Sequence, residues 1–210
     1  MSLVEEKKAA REAAIARRDA AHASLGERAP GQVADNFIRA FCSHPSPFEA
    51  QGWRGGPAGV TISAYWPGRS ELDIRPLMTR LHDLGHPIGL PVVMGRGKPL
   101  VFRLWRPGDA LEPKPFGLQE PYLSAPELVP AVLLVPFLAF DGEGYRIGYG
   151  AGFYDRTLAI LRARSSVLAI GVGYAAQAVA HLPRGEHDER LDWVVTEEGV
   201  LEAPRVDRVR

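Results

Sequence analysis

Ala131-Val-Leu-Leu-Val135 is an unbroken apolar run of strand length, and downstream of it stands Arg146-Ile-Gly-Tyr-Gly-Ala-Gly-Phe-Tyr-Asp-Arg156. A strand with one wet face alternates polar and apolar residues. A run that does not alternate fits a strand buried on both faces, as in a parallel sheet covered by helices. Gly148, Gly150 and Gly152 interrupt regular structure, and residues 153–164 carry a helical pattern. Buried strand, glycine loop, helix: this is the repeating unit of an α/β sheet.

The same alternation extends outward. Residues 167–172 read as a second apolar strand, 175–181 as a short helix and 192–196 as the last strand. Upstream, residues 60–65 read as a short buried strand, and 72–84 as a helix closed by Gly85. Residues 88–94 and 100–105 read as two strands joined by Gly95-Arg-Gly-Lys-Pro99, a hairpin connection. Residues 3–25 form an Ala-rich helix ended by Gly26, and 32–42 a second helix with Val33, Phe37, Ile38 and Phe41 on one face. Two Pro-rich stretches, 45–59 and 107–127, read as long surface loops. The expectation is one α/β domain over residues 1–210, an open, largely parallel sheet with helices on both faces.

Composition narrows the function. The chain has 210 residues, with 25 Lys+Arg against 25 Asp+Glu. No net field recruits nucleic acid or an acidic membrane, so an anion site must be a local cluster. No nucleic-acid recognition motif is present. The single cysteine, Cys42, allows no internal disulfide and no Cys/His zinc pattern. No apolar run reaches the ~20 residues of a spanning helix. The N-terminal residues are charged and lack a signal core. A cytoplasmic monomer is the default expectation.

The glycine loop carries the chemistry. Alternating glycines admit positive φ and close approach of a ligand to the backbone. Loop N–H groups and the following helix N-terminus attract phosphate. Asp155 could ligate Mg2+ or merely cap the helix, and Arg146 and Arg156 add positive charge. The spacing is neither the dinucleotide GxGxxG nor the P-loop GxxxxGK[ST]. Lys7, Arg11 and Arg18 fall within about 40° of one another on the first helix. That stripe could reach an anion, or it could be a solvated face paired with Glu5, Glu6 and Glu12. His187-Asp188-Glu189-Arg190-Leu191-Asp192 reads alone as a polar loop, Glu71 as a helix N-terminal acid, and Arg205, Arg208 and Arg210 as a solvated terminus.

Together these segments resemble the 5-formyltetrahydrofolate cyclo-ligase family, also called 5,10-methenyltetrahydrofolate synthetases. Val135-Pro-Phe-Leu-Ala-Phe-Asp141 followed by residues 146–156 is similar to the family pattern V-P-G-x-A-F-D, a short turn, then R-x-G-x-G-x-G-Y-Y-D. Lys7-Lys-Ala-Ala-Arg11, Glu71-Leu-Asp-Ile-Arg-Pro-Leu77, Leu90-Pro91, Leu182-Pro183 with His187-Asp188, and Val194-Val-Thr-Glu197 follow in family order. Phe137 stands at a common Gly, Phe153 replaces the first Tyr, and Ala151 stands at a Gly or Lys position.

The resemblance implies a Rossmann-like fold of the kind shared with sugar-phosphate isomerases and coenzyme A transferases. It implies ATP- and Mg2+-dependent cyclisation of 5-formyltetrahydrofolate to 5,10-methenyltetrahydrofolate. It assigns ATP to Lys7, Lys8, Arg11, Arg146, Ile147, Gly148, Tyr149, Gly150, Ala151, Gly152, Phe153 and Tyr154, so the basic helix contributes to the nucleotide site. Folate falls to Trp66, Glu71 and residues 149–153, and Mg2+ to Asp155 and Asp188. Arg11, Arg146 and Tyr154 stand nearest the reacting groups. Two other readings stay open: a non-catalytic or substrate-shifted folate- or nucleotide-binding paralogue, and an isomerase or acyl transferase of the same fold. The second would need a catalytic Glu motif that is not identifiable.

Overall fold

The computed structural model describes residues 2–42, 59–115 and 118–204. The Pro-rich stretch from 45, up to residue 58, and Arg205, Arg208 and Arg210 lie outside the described residues.

Strands β1 (Ile62–Ser63), β2 (Ile88–Val93), β7 (Val132–Val135), β10 (Leu168–Val172) and β12 (Trp193–Thr196) form a parallel core in the order β12-β10-β7-β1-β2. Antiparallel strands extend both edges. β13 (Gly199–Glu202) flanks β12, and β3 (Leu100–Trp105) with β6 (Glu127–Leu128) flanks β2. The apolar run 131–135 is the centre of the sheet, with β1 on one side and β10 on the other.

Its side chains alternate between two cores. Val132 and Leu134 join Ile62, Ile88 and Ile170 under helices α2 (Ala29–Phe41) and α3 (Arg75–Asp83). Leu133 and Val135 join Ala169, Val194 and Leu158 of helix α4 (Phe153–Arg162) on the opposite face. Helices on both faces explain why no residue of β7 is polar.

A smaller sheet, β11 (Ala178–Val179), β8 (Ala139–Asp141) and β9 (Arg146–Ile147), sits beyond the end of β7. Helix α1 (Leu3–Leu25) packs on it through Ala14, against Leu138, Ala139, Ile147 and Leu182. A capping box between Ser2 and Glu5 starts that helix.

Four sequence expectations need correction. Strand 192–196 is not the last, because β13 follows it as an antiparallel edge. Helix 72–84 begins only at Arg75, where Pro76 occupies the first turn and Asp73 accepts the Arg75 amide at 2.9 Å. Residues 175–181 form one 3-10 turn and then β11. There the Gln177 amide donates to the Phe137 and Leu138 carbonyls and draws the chain toward the small sheet. Within 107–127 lies a hairpin of β4 (Leu111–Pro113) and β5 (Gln119–Pro121), anchored where buried Glu120 accepts the Val93 amide at 3.1 Å.

Leu134 is fully buried. Leu134→Ala should cost about 2–5 kcal/mol in urea denaturation, with the fold retained at 25 °C; a loss below about 1 kcal/mol would contradict the central placement of β7.

Candidate active site

The order β12-β10-β7-β1-β2 reverses direction between β1 and β7. In doubly wound sheets the ligand crevice lies outside the carboxyl ends of the strands at that reversal. The two chain segments leaving those ends are 64–74, with Trp66 and Glu71, and 136–152, with the glycine loop. The fold therefore brings together the two stretches that the sequence singled out.

The loop is built in steps. Pro136 ends β7, and β8 and β9 make a hairpin whose turn is fixed by buried Asp141. Its Oδ1 accepts the amides of Glu143 and Tyr145, both at 3.0 Å, and Oδ2 accepts that of Leu182. The motif acid Asp141 is thus structural. Ile147 is also structural: its side chain packs with Leu138, and its carbonyl accepts the Leu138 amide at 2.7 Å. From Gly148 the loop turns free. Gly150 has φ +96° and Gly152 φ +65°, a region that favours glycine. A Cβ on Gly150 would lie 3.1 Å from the Arg11 guanidinium carbon.

The amides of Tyr149, Gly150, Ala151 and Gly152 meet no protein acceptor among the described residues. Gly152 caps α4 without a side-chain hydrogen bond. The loop and the first turn of α4 therefore present a set of free N–H donors, a site for phosphate.

Cations surround those donors. Arg11 Nε donates to the Gly148 carbonyl at 3.0 Å. Arg146 donates to Asp155 at 2.8 Å and to the Glu189 carbonyl. Its burial works against its charge, and Asp155 opposes that effect. Lys7 Nζ lies 2.5 Å from Asp188. The basic stripe of α1 thus faces the protein body, and the solvated-face reading does not hold for these residues. Lys8 is exposed on the neighbouring face. Arg156 holds the loop from below, donating to the Ala151 carbonyl at 2.6 Å with Phe153 beside its guanidinium.

Asp155 and Asp188 are both part-exposed and joined through one segment: Asp155 Oδ1 accepts the Glu189 amide at 3.1 Å, next to Asp188. Asp155 Oδ2 and Asp188 Oδ1 hold no hydrogen bond among the described residues. No group of three His, Cys, Asp or Glu that could cage a metal occurs among the described residues. A cation at these two carboxylates would draw its other ligands from phosphate oxygens and water, the habit of Mg2+. The donor set fits that ion.

On the other side of the crevice Glu71 is largely buried. Its Oε2 accepts the Gly68 amide at 2.9 Å. Tyr154 points its hydroxyl into a buried position with no hydrogen-bond partner among the described residues. Burial, then the charge of Glu71, raises its pKa well above the ordinary phenol value. Trp66 packs edge-on to Trp105 with centroids 5.9 Å apart, and the Arg75 guanidinium lies over its ring. Tyr149 is half exposed, with its ring beside Arg18. Arg18 itself is the residue whose place the sequence did not reveal: it is buried within this site, donating to Ser70 at 3.0 Å. Only its position on the Lys7–Arg11 stripe hinted at this.

Sheet order and glycine loop define a doubly wound α/β protein with a crevice at its topological switch point, lined by free amides suited to an anion. Comparison with known proteins makes the class specific. The model of the 5-formyltetrahydrofolate cyclo-ligase family matches residues 57–197. The chain is 38% identical over 156 residues to the 5-formyltetrahydrofolate cyclo-ligase of Mycolicibacterium smegmatis, covering 70% of this chain and 79% of that one. It is 34% identical over 148 residues to the enzyme of the same name from Escherichia coli K12, covering 68% and 80%. The NMR structure of Aquifex aeolicus 5,10-methenyltetrahydrofolate synthetase matches with a TM-score of 0.72 at 25% identity, over 97% of this chain and 96% of that one. The chain belongs to the 5-formyltetrahydrofolate cyclo-ligase family, and with it to the ligases of one-carbon folate metabolism. Membership of that family sets aside the isomerase and acyl-transferase readings. No described helix is long and apolar enough to cross a membrane.

Burial raises the Glu71 pKa, and the Gly68 amide and the charges of Arg18 and Arg69 only partly offset it. Folded Glu71 therefore holds its proton more tightly than unfolded Glu71. Its contribution to stability is full below the unfolded value and is lost as pH rises through the raised folded value. Glu71→Gln should melt at or above the wild-type temperature at pH 7, with the difference closing on acidification toward the ordinary value of 4.5. A variant that melts well below wild type at pH 7 would show that the fold depends on the Glu71 charge.

Proposed function

We propose that this chain, acting as a cytoplasmic monomer and a single domain completed by α1, converts 5-formyltetrahydrofolate to 5,10-methenyltetrahydrofolate with ATP and Mg2+, releasing ADP and phosphate. The observation that carries this reading is the glycine loop: free N–H donors at the uncapped start of α4, ringed by Lys7, Arg11 and Arg146. Such a site suits a polyphosphate, and it faces a buried carboxylate suited to the amino-pyrimidinone edge of a pterin.

The chemistry needs positioning more than protein nucleophiles. The N5-formyl group is amide-like and a poor electrophile, and N10 is a weak nucleophile. The formyl oxygen attacks the γ-phosphorus of ATP, and the bond to the β-phosphate oxygen breaks to release ADP. N10 then attacks the activated formyl carbon and loses its proton to solvent. The carbon–oxygen bond breaks, phosphate departs and the methenyl ring remains. Arg11 and Arg146 neutralise charge on the transferring group, and Lys7 contacts the nucleotide phosphates. Glu71 accepts two pterin N–H bonds, Trp66 offers a flat apolar wall, and the Tyr154 hydroxyl holds phosphate or folate in place without moving a proton. Asp155 and Asp188 would hold Mg2+, which supplies charge neutralisation on the phosphates. Arg146 and Lys7, now paired with those carboxylates, orient them for that role.

The test is turnover. Protein, 5-formyltetrahydrofolate and Mg2+ are mixed with and without ATP, and methenyltetrahydrofolate is followed by its near-ultraviolet absorbance. Product should form only with ATP; folded protein that binds ATP yet yields none would overturn the reading. Asp155→Asn should lower kcat by about a hundredfold or more in protein that remains folded at 25 °C, with a lowered melting temperature because buried Arg146 loses its counter-charge. Unchanged activity at limiting Mg2+ would remove Asp155 from the metal. Lys7→Ala should weaken ATP about tenfold and folate by less; equal losses would point to a fold defect.

A further inference from the structure

Arg18 is the buried cation that the phosphate site does not use. Its side chain is 2% exposed. Nε donates to Ser70 Oγ at 3.0 Å, and the Tyr149 ring centroid lies 5.5 Å from Cζ. Nη1 has no hydrogen-bond partner among the described residues. It lies 3.9 Å from Glu71 Oε1, beyond hydrogen-bonding reach. An unpaired buried donor is costly, and native interiors rarely leave one without a reason. The Tyr154 hydroxyl, close enough to Glu71 to feel its charge, is a second unpaired polar group in the same place.

We propose that Arg18 is a specificity-determining residue for the substrate, its Nη1 donating to the ring carbonyl oxygen adjacent to the two N–H groups that Glu71 accepts. The proposal rests on the reading of Glu71 as the pterin acid and deepens it. A carboxylate that takes the 2-amino and N3–H donors of a 2-amino-4-oxopteridine has the 4-oxo oxygen next to its outer oxygen. A donor 3.9 Å from that carboxylate oxygen is too far to be satisfied by it. It is well placed for an acceptor seated alongside. Ser70 and Tyr149 hold the rest of the guanidinium, which fixes Nη1 beside Glu71. Glu71 and Arg18 together then read an acceptor beside two donors. A 4-amino ring sets an N–H group against the cation and leaves Nη1 unpaired, and its N3, without hydrogen, also loses its bond to Glu71.

The test is calorimetric titration of the full-length protein with folic acid, a 4-oxopteridine, and aminopterin, its 4-amino counterpart, and separately with ATP. The wild-type protein should bind folic acid about ten- to a hundredfold tighter than aminopterin, the scale of one hydrogen bond to a charged group. Arg18→Met should narrow the folic acid-to-aminopterin ratio severalfold, leaving the share that Glu71 reads at N3, with ATP affinity within about twofold of wild type. Equal affinities in the wild type would overturn the proposal, and that measurement needs no variant to fold. A variant that weakens both compounds in parallel, ratio preserved, would also overturn it and mark Arg18 as structural only. A wild-type protein that binds ATP but not folic acid would sink the reading of Glu71 itself, and this proposal with it.

Discussion

Strand β7 is dry on both faces, and the arrangement of the molecule follows from where it ends. Leu134 is buried in the α2–α3 core and Leu133 in the α4 core, so the strand must lie in the middle of the sheet. A central parallel strand can only discharge its chain at the carboxyl edge, here beside the end of β1. Pro136 stops the strand there. Asp141 then folds the continuing chain into the β8–β9 hairpin through the amides of Glu143 and Tyr145. The glycine loop comes to the switch point because core packing puts it there.

Helix α1 is bound by a different kind of force. Its inward stripe is Lys7, Arg11, Ala14, Arg18 and Ala21, with no large apolar side chain among them. Alanine burial contributes little, about 25 cal/mol per Å2 on a small side chain. Ile15 and Leu25 pack, partly buried, beside that stripe, and the cations set the helix's place through their partners: Asp188, the Gly148 carbonyl and Ser70. Docking α1 and assembling the site are therefore the same event.

The central strands were legible because burial on both faces leaves no polar residue to blur the pattern. Residues 131–135 and 167–172 were placed within a residue of their observed ends. The glycine loop was legible because positive φ and close approach restrict residue choice at 150 and 152. What the sequence hid depends on side chains reaching across the fold. Gln177 diverts residues 175–181 from a helix by bonding carbonyls forty positions earlier. Glu120 ties a Pro-rich stretch to β2 as a hairpin. Arg18 stands on a stripe that local pattern leaves either anion-facing or solvated, since that pattern cannot show that Ser70 and Tyr149 enclose it. The strand read over residues 60–65 spans only Ile62–Ser63.

The central claim is that this crevice makes the formyl oxygen a leaving group by moving the γ-phosphoryl group onto it. The most direct measurement starts from 5-formyltetrahydrofolate labelled with 18O in the formyl group, and follows the label by mass spectrometry after turnover with ATP. The account predicts that the 18O appears in the released phosphate, in proportion to the methenyltetrahydrofolate formed. Unlabelled phosphate, with the 18O released as water, would contradict it.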